Sequence, residues 1–117
     1  MTRVVVYEKR TCTTCRNLAD LLESQGVDFA RVEYHVDGLP EDKLRELLAK
    51  AGLRPGDVLR AREPLAAELD LVDKPPPDDE LIRLMAEHPQ LVQRPIVERG
   101  DRAVLARPVE RALELLD

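Results

Sequence analysis

The chain has 117 residues, of which 44% are hydrophobic, enough for one domain with a real core and too apolar for a disordered chain. Charged residues make up 35%, the formal net charge is -5 and aromatics are only 3%, so neither a basic nucleic-acid groove nor a base-stacking platform is expected. No apolar run approaches the roughly 20 residues that span a bilayer, and Met1 to Tyr7 lacks the basic-then-apolar layout of a signal peptide, so the expected compartment is the cytoplasm, with no membrane partner.

In chain order, Val4, Val5 and Val6 form a β-branched run ending in Tyr7, which reads as a buried central strand. Glu8 to Thr11 reads as a loop leading to Cys12. From about Thr13 the period changes, and Cys15, Leu18, Leu21 and Leu22 fall on one helical face, with Gly26 placed to stop the helix. Phe29 to Tyr34 alternates as a second strand, which completes a βαβ unit with an expected right-handed crossover. Pro40 starts a helix with an apolar stripe of Leu44, Leu47, Leu48 and Ala51, ended by Gly52. Arg54 to Asp57 is a turn, Val58 to Leu71 one or two short helical pieces, and Lys74 to Pro77 a stiff connector. Asp78 is a good N-cap for a helix with Leu81, Ile82 and Met85 facing inward, stopped by Pro89. Ile96 to Glu98 and Ala103 to Leu105 read as a hairpin around Arg99, Gly100 and Asp101. Pro108 then starts a final helix with Val109, Ala112, Leu113 and Leu116 on one face. The order βαβ, helical insertion, ββα gives an α/β thioredoxin-like fold. It is a single domain over 1–117, with a mixed four-stranded sheet, flanking helices and an inserted helical subdomain at about 40–88.

In a cytoplasmic chain, two cysteines point to catalysis or redox sensing rather than cross-linking. They are too few for a closed four-cysteine zinc site. His35 and His88 lie outside finger spacing and read as surface or helix-end residues, so no metal and no bound cofactor is expected. Cys12-Thr13-Thr14-Cys15 sits between a buried strand and a helix start. A thiolate there faces unpaired backbone N–H groups and the positive end of the helix dipole, both of which lower a cysteine pKa. Arg10 and Arg16 flank the motif with positive charge. Cys12 is therefore the expected nucleophile. Cys15, one turn in, reads either as the thiol that closes a disulfide with it or as a small residue of the buried helix face.

Arg94-Pro95 precedes a strand, where a cis peptide bond or a plain strand entry both fit. Arg107 precedes Pro108, and Arg60 lies in the inserted helices. Each arginine alone reads as a solvated surface residue, whereas three converging on a thiolate would form an oxyanion pocket of planar, bidentate donors.

Tyr7 to Arg16 resembles the active-site loop of the arsenate reductase family that couples to glutathione and glutaredoxin, and also that of the related Spx-type transcription regulators. His88 to Val97 resembles the second signature of that family and Ala106-Arg107-Pro108 the third, so the resemblance covers essentially the whole chain. It implies a thioredoxin-like fold with an inserted helical subdomain and a thiol oxidoreductase activity. The residue matching Cys12 would attack a small oxyanion, and arginines matching Arg60, Arg94 and Arg107 would bind the oxyanion and its thiol adduct. Glutathione would form a mixed disulfide at arsenic, and glutaredoxin, or a thioredoxin partner, would supply the reductant. Two positions depart from the glutathione-dependent pattern: Cys15 stands where a small hydroxyl residue is usual, and Glu8 where histidine is. The CxxC followed by Arg16 is nearer the Spx-type pattern, whose reading is a redox sensor that docks on RNA polymerase.

Overall fold

Val4–Glu8 forms the central strand β1, because a run of β-branched residues packs well on a pleated, two-sided surface. The computed structural model describes residues 3–116; Met1, Thr2 and Asp117, the ends of the 1–117 span expected as one domain, lie outside the described residues. Helix α1 (Thr13–Ser24) follows, then β2 (Phe29–Glu33) and a one-turn helix α2 (Tyr34–Asp37). The insertion continues with α3 (Glu41–Ala51), a 3-10 turn at Pro55–Val58, α4 (Pro64–Glu68), α5 (Asp78–Glu87) and a second 3-10 turn at Pro89–Leu91. Strands β3 (Ile96–Arg99) and β4 (Arg102–Leu105) and a 3-10 helix at Val109–Leu115 complete the chain. Among the described residues, no helix is long and apolar enough to cross a membrane.

The sheet is mixed and four-stranded in the order β2-β1-β3-β4. Strand β1 pairs in parallel with β2 and antiparallel with β3, and β3 pairs antiparallel with β4. Side chains alternate across β1. Val4 and Val6 pack against Leu18 and Leu22 of α1 and Ala112 and Leu115 of the last helix. Val5 and Tyr7 face the insertion, where Leu44, Leu47 and Met85 are fully or almost fully buried. Burying each such leucine stabilises the domain by about 1.5–3 kcal/mol.

Several expected boundaries shift for local reasons. Glu8 ends β1 rather than starting the loop, and Tyr34 leaves the strand to begin α2. Pro77 takes the cap position of α5 and Asp78 its first turn, where Arg54 Nη2 lies 3.1 Å from the Asp78 carboxylate. The hairpin strands are longer than expected, leaving Gly100 and Asp101 as the turn, with Gly100 at φ +63° where a side chain would be strained. The last helix is 3-10 rather than α, so its inward line has a period of three: Ala112 and Leu115 are buried, while Leu113 and Leu116 are only half-buried.

One buried charge ties the insertion to the sheet. Glu98 of β3 is 6% exposed. The Tyr7 hydroxyl donates to its Oε1 at 2.7 Å, Lys43 Nζ of α3 donates to both oxygens at 3.0 Å, and Lys50 of the same helix donates to Oε2. Burial opposes the charge, but the bonds from Lys50, Tyr7 and Lys43 outweigh it and hold the carboxyl below the usual carboxylate range. A carboxylate with a depressed folded-state pKa stabilises the fold above its unfolded pKa, and that stabilisation is lost as pH falls through the folded value. Glu98→Gln should therefore lower the unfolding free energy at pH 7 by about 1–3 kcal/mol in urea melts. The gap between the two chains should narrow in acid, below about pH 4.

Candidate active site

The site lies where β1 and β2, side by side and parallel, reach their C-terminal ends, with Glu8 in register with Glu33. The chain leaving β1 turns tightly, and the Cys12 N–H donates to the Lys9 carbonyl at 3.0 Å. Cys12 is extended, at φ -78° and ψ 123°, and occupies the N-cap of α1. Its carbonyl accepts from the Arg16 N–H at 3.1 Å, closing the first helical turn. Its sulfur takes the place that a serine or aspartate oxygen usually holds in a capping residue, accepting the Cys15 N–H at 3.4 Å. The first turn carries no carboxylate, so the positive end of the dipole is left for the sulfur.

The two thiols, both free, are driven apart in acidity. Burial alone would raise Cys12. It is nevertheless held below its ordinary value, because the Cys15 backbone N–H and thiol and the Arg94 guanidinium beside it favour the anion. Cys15 is fully buried on the inward face of α1. Burial pushes its thiol up to about 12, and the nearby Cys12 and Glu8 add to the rise against a Lys9 backbone hydrogen bond. The half-exposed sulfur is thus the one that ionises, and the covered sulfur keeps its proton.

Arg94 is 7% exposed and precedes a cis bond to Pro95. Its guanidinium faces both Cys12 and the buried Tyr34, whose hydroxyl donates to the Val92 carbonyl at 2.7 Å. Arg107, also before a cis proline, donates from Nη1 to the Arg94 carbonyl at 2.8 Å. Arg60 sits across from this strand entry. Its N–H donates to the Leu91 carbonyl at 2.7 Å, its Nη1 to Gln93 Oε1 at 3.3 Å, and the Gln93 N–H donates to Val58 at 2.7 Å. The stretch 58–60 therefore runs alongside 91–93, and the insertion carries Arg60 to the loop that bears Arg94. Of the sequence-predicted set, Cys12, Cys15 and Arg94 meet directly, Pro95 follows Arg94 across the cis bond, Arg107 holds the Arg94 carbonyl, and Arg60 lies one loop away.

Arg16 is not drawn in: its side chain is exposed on α1 and only its backbone serves the motif. Arg10 turns instead toward Glu33, with Nε 3.6 Å from the carboxylate. Glu8 is 1% exposed, and its Oε2 takes Arg31 Nε at 2.7 Å. Its charge acts on Cys15 behind the site rather than from a loop in front of Cys12.

His35, read from the sequence as a surface or helix-end residue, does lie in the single turn of α2. It is half-buried on α2, its ring 4.8 Å from that of Tyr34, and its Nε2 is buried. Burial first, then the charges of Arg94 and Lys9, hold its pKa below the ordinary histidine value. The signal that could have found it is positional: it follows the C-terminal end of a parallel strand, where α/β sheets bind ligands.

A thiolate, a buried guanidinium and a second, buried thiol in the turn that the first one caps can accept an anionic electrophile, bond to it through sulfur, and close a disulfide. The ArsC family model matches residues 7–115. The chain is 38% identical over 114 residues to the arsenate reductase ArsI2 of Synechocystis, covering 97% of this chain and 81% of that one. It is 32% identical over 116 residues to an arsenate reductase of Escherichia coli, covering 99% and 82%. An arsenate reductase structure from Vibrio cholerae superposes with a TM-score of 0.92 at 36% identity, covering 97% of this chain and 98% of that one. These matches bear out the thioredoxin-like α/β expectation and lend no support to the Spx-type alternative. With the family model spanning all but the two ends and these relatives aligned across nearly the full length, the chain belongs to the ArsC family of thiol oxidoreductases.

Proposed function

We propose that this chain reduces a small tetrahedral oxyanion, arsenate in the first instance, with Cys12 as nucleophile. The observation that carries the reading is the Cys12 sulfur capping α1 beside the buried Arg94, an anion held at the one place where an anionic electrophile would also be welcome. The Cys12 thiolate attacks arsenic and an oxygen leaves as water, giving a thiol adduct. Attack of a second thiol on the Cys12 sulfur then leaves its electron pair on arsenic, so As(V) becomes As(III) as a disulfide forms. Arg94, Arg60 and Arg107 bind the oxyanion and its adduct, and Arg107 also fixes the backbone that presents Arg94.

The second thiol is Cys15 or glutathione, and the closed or mixed disulfide is reopened by glutaredoxin or thioredoxin. The stacked arrangement of Cys12 and Cys15 on one turn of α1 supports the internal route. Arsenate-dependent consumption of reductant, followed with glutathione and glutaredoxin and then with thioredoxin, tests the reading. Turnover in neither regime contradicts it. Cys15→Ser should keep fast labelling of Cys12 but lose internal disulfide closure. Its turnover should become dependent on glutathione, which free-thiol counting after arsenate exposure would register.

A further inference from the structure

Among the described residues, three buried side-chain atoms lack a hydrogen-bond partner: Nε of Arg94, Nε2 of His35 and, behind Cys15, Oε1 of Glu8. An unpaired buried polar atom costs about 1–3 kcal/mol, and the Arg94 charge bears directly on His35, so a ligand between the two side chains would satisfy both. The groups acting on His35 come from every segment around it: Arg94 before β3, Lys9 after β1, and Arg60 and Glu63 before α4. Three of the four are cations, and the one carboxylate, Glu63, is itself 3.9 Å from Arg60. An imidazole among three cations resists a proton. A dianion placed there reverses that balance.

We propose that His35 is a further binding residue of the oxyanion site, its Nε2 donating to the same tetrahedral dianion that Arg94 holds, and that the dianion enters with one proton taken up onto the imidazole. The Tyr34 ring, anchored through its hydroxyl on Val92, holds the imidazole in place for this contact. The inference rests on the oxyanion reading above. The balance is simple: hydrogen arsenate, neutral His35 and one solvent proton give the bound dianion and an imidazolium, with no bond to arsenic made or broken. Where arsenate in solution is already the dianion, apparent affinity therefore falls as pH rises toward the imidazolium pKa of the complex; where it is the monoanion, the ligand brings the proton itself and this dependence flattens.

The test has two arms. In the Cys12→Ser chain, which cannot turn arsenate over, the imidazole resonances of His35 and His88 are followed against pH with and without sodium arsenate. Arsenate should move the His35 midpoint upward by about one unit or more while His88, at the end of α5, stays in place. In the Cys15→Ser chain without glutathione, where no disulfide can close, the arsenate concentration that half-protects Cys12 from alkylation is measured across pH, with His35 in place and substituted. His35→Leu should need about tenfold more arsenate and lose the histidine-linked part of the pH dependence. His35→Gln should restore affinity through its amide but not that pH dependence. Protection of Cys12 with an unmoved His35, or His35→Leu matching the profile with His35 in place, overturns the inference while leaving the oxyanion reading intact. No protection of Cys12 at any concentration overturns both.

Discussion

Cys12→Ser should abolish arsenate-dependent oxidation of reductant while leaving the domain as stable as before. The sulfur has two jobs that this substitution separates. As a cap it accepts the Cys15 N–H at the start of α1, and a serine hydroxyl, among the best capping groups, does that at least as well. As a nucleophile it must carry a negative charge near neutral pH, which a hydroxyl does not. Turnover should fall by several orders of magnitude, as it does when the covalent nucleophile of an enzyme is removed. A thermal melt of the variant should overlay the native one. Residual turnover within tenfold of native would mean that another group does the chemistry.

Arg94→Ala should have the second largest effect, through two routes that can be told apart. The guanidinium favours the Cys12 anion, so its loss should move the alkylation midpoint of Cys12 upward. It is also the nearly buried donor at the site, and removing one such donor costs about 10²–10³-fold in kcat. Arg94→Lys separates the two, because lysine keeps the charge but not the planar fork. Its alkylation profile should stay near native while arsenate turnover remains strongly impaired. Arg16→Ala, on the exposed face of α1, should change neither measurement appreciably. Equal effects at positions 16 and 94 would mean that only diffuse positive charge matters.

The parts of this architecture visible in the sequence are those set by short-range pattern. The valine run of β1, the leucine face of α1 and the stripe of α3 follow from spacing alone, and the structure has them where they are expected. The last helix shows the limit. Val109, Ala112, Leu113 and Leu116 fit an α-period, but a 3-10 winding moves Leu115 inward instead. Glu8 shows another: a carboxylate beside a hydrophobic run reads as loop, and only the approach of Arg31 from β2 makes its burial affordable. The chemistry of Cys12 was local, since a thiol between strand and helix meets the helix dipole by construction. The ranking of the arginines was not. Arg10, Arg16 and Arg94 look alike in sequence, and only the fold sends the first to Glu33, the second to solvent and the third to the sulfur. His35 reads from the sequence as a surface or helix-end residue, and the charges that act on it, Arg94, Lys9, Glu63 and Arg60, meet only in the fold.

The central claim is that the amino end of α1 and Arg94 keep the sulfur of Cys12 ionised while Cys15 stays protonated. Iodoacetamide labelling of the native chain across pH, with the two cysteines resolved by peptide mass mapping, measures this directly. The account predicts a Cys12 rate profile with its midpoint below the roughly 8.5 of a free thiol, and a Cys15 that stays unlabelled throughout that range. A Cys12 midpoint at or above that of a free thiol, or equal labelling of the two residues, would contradict it.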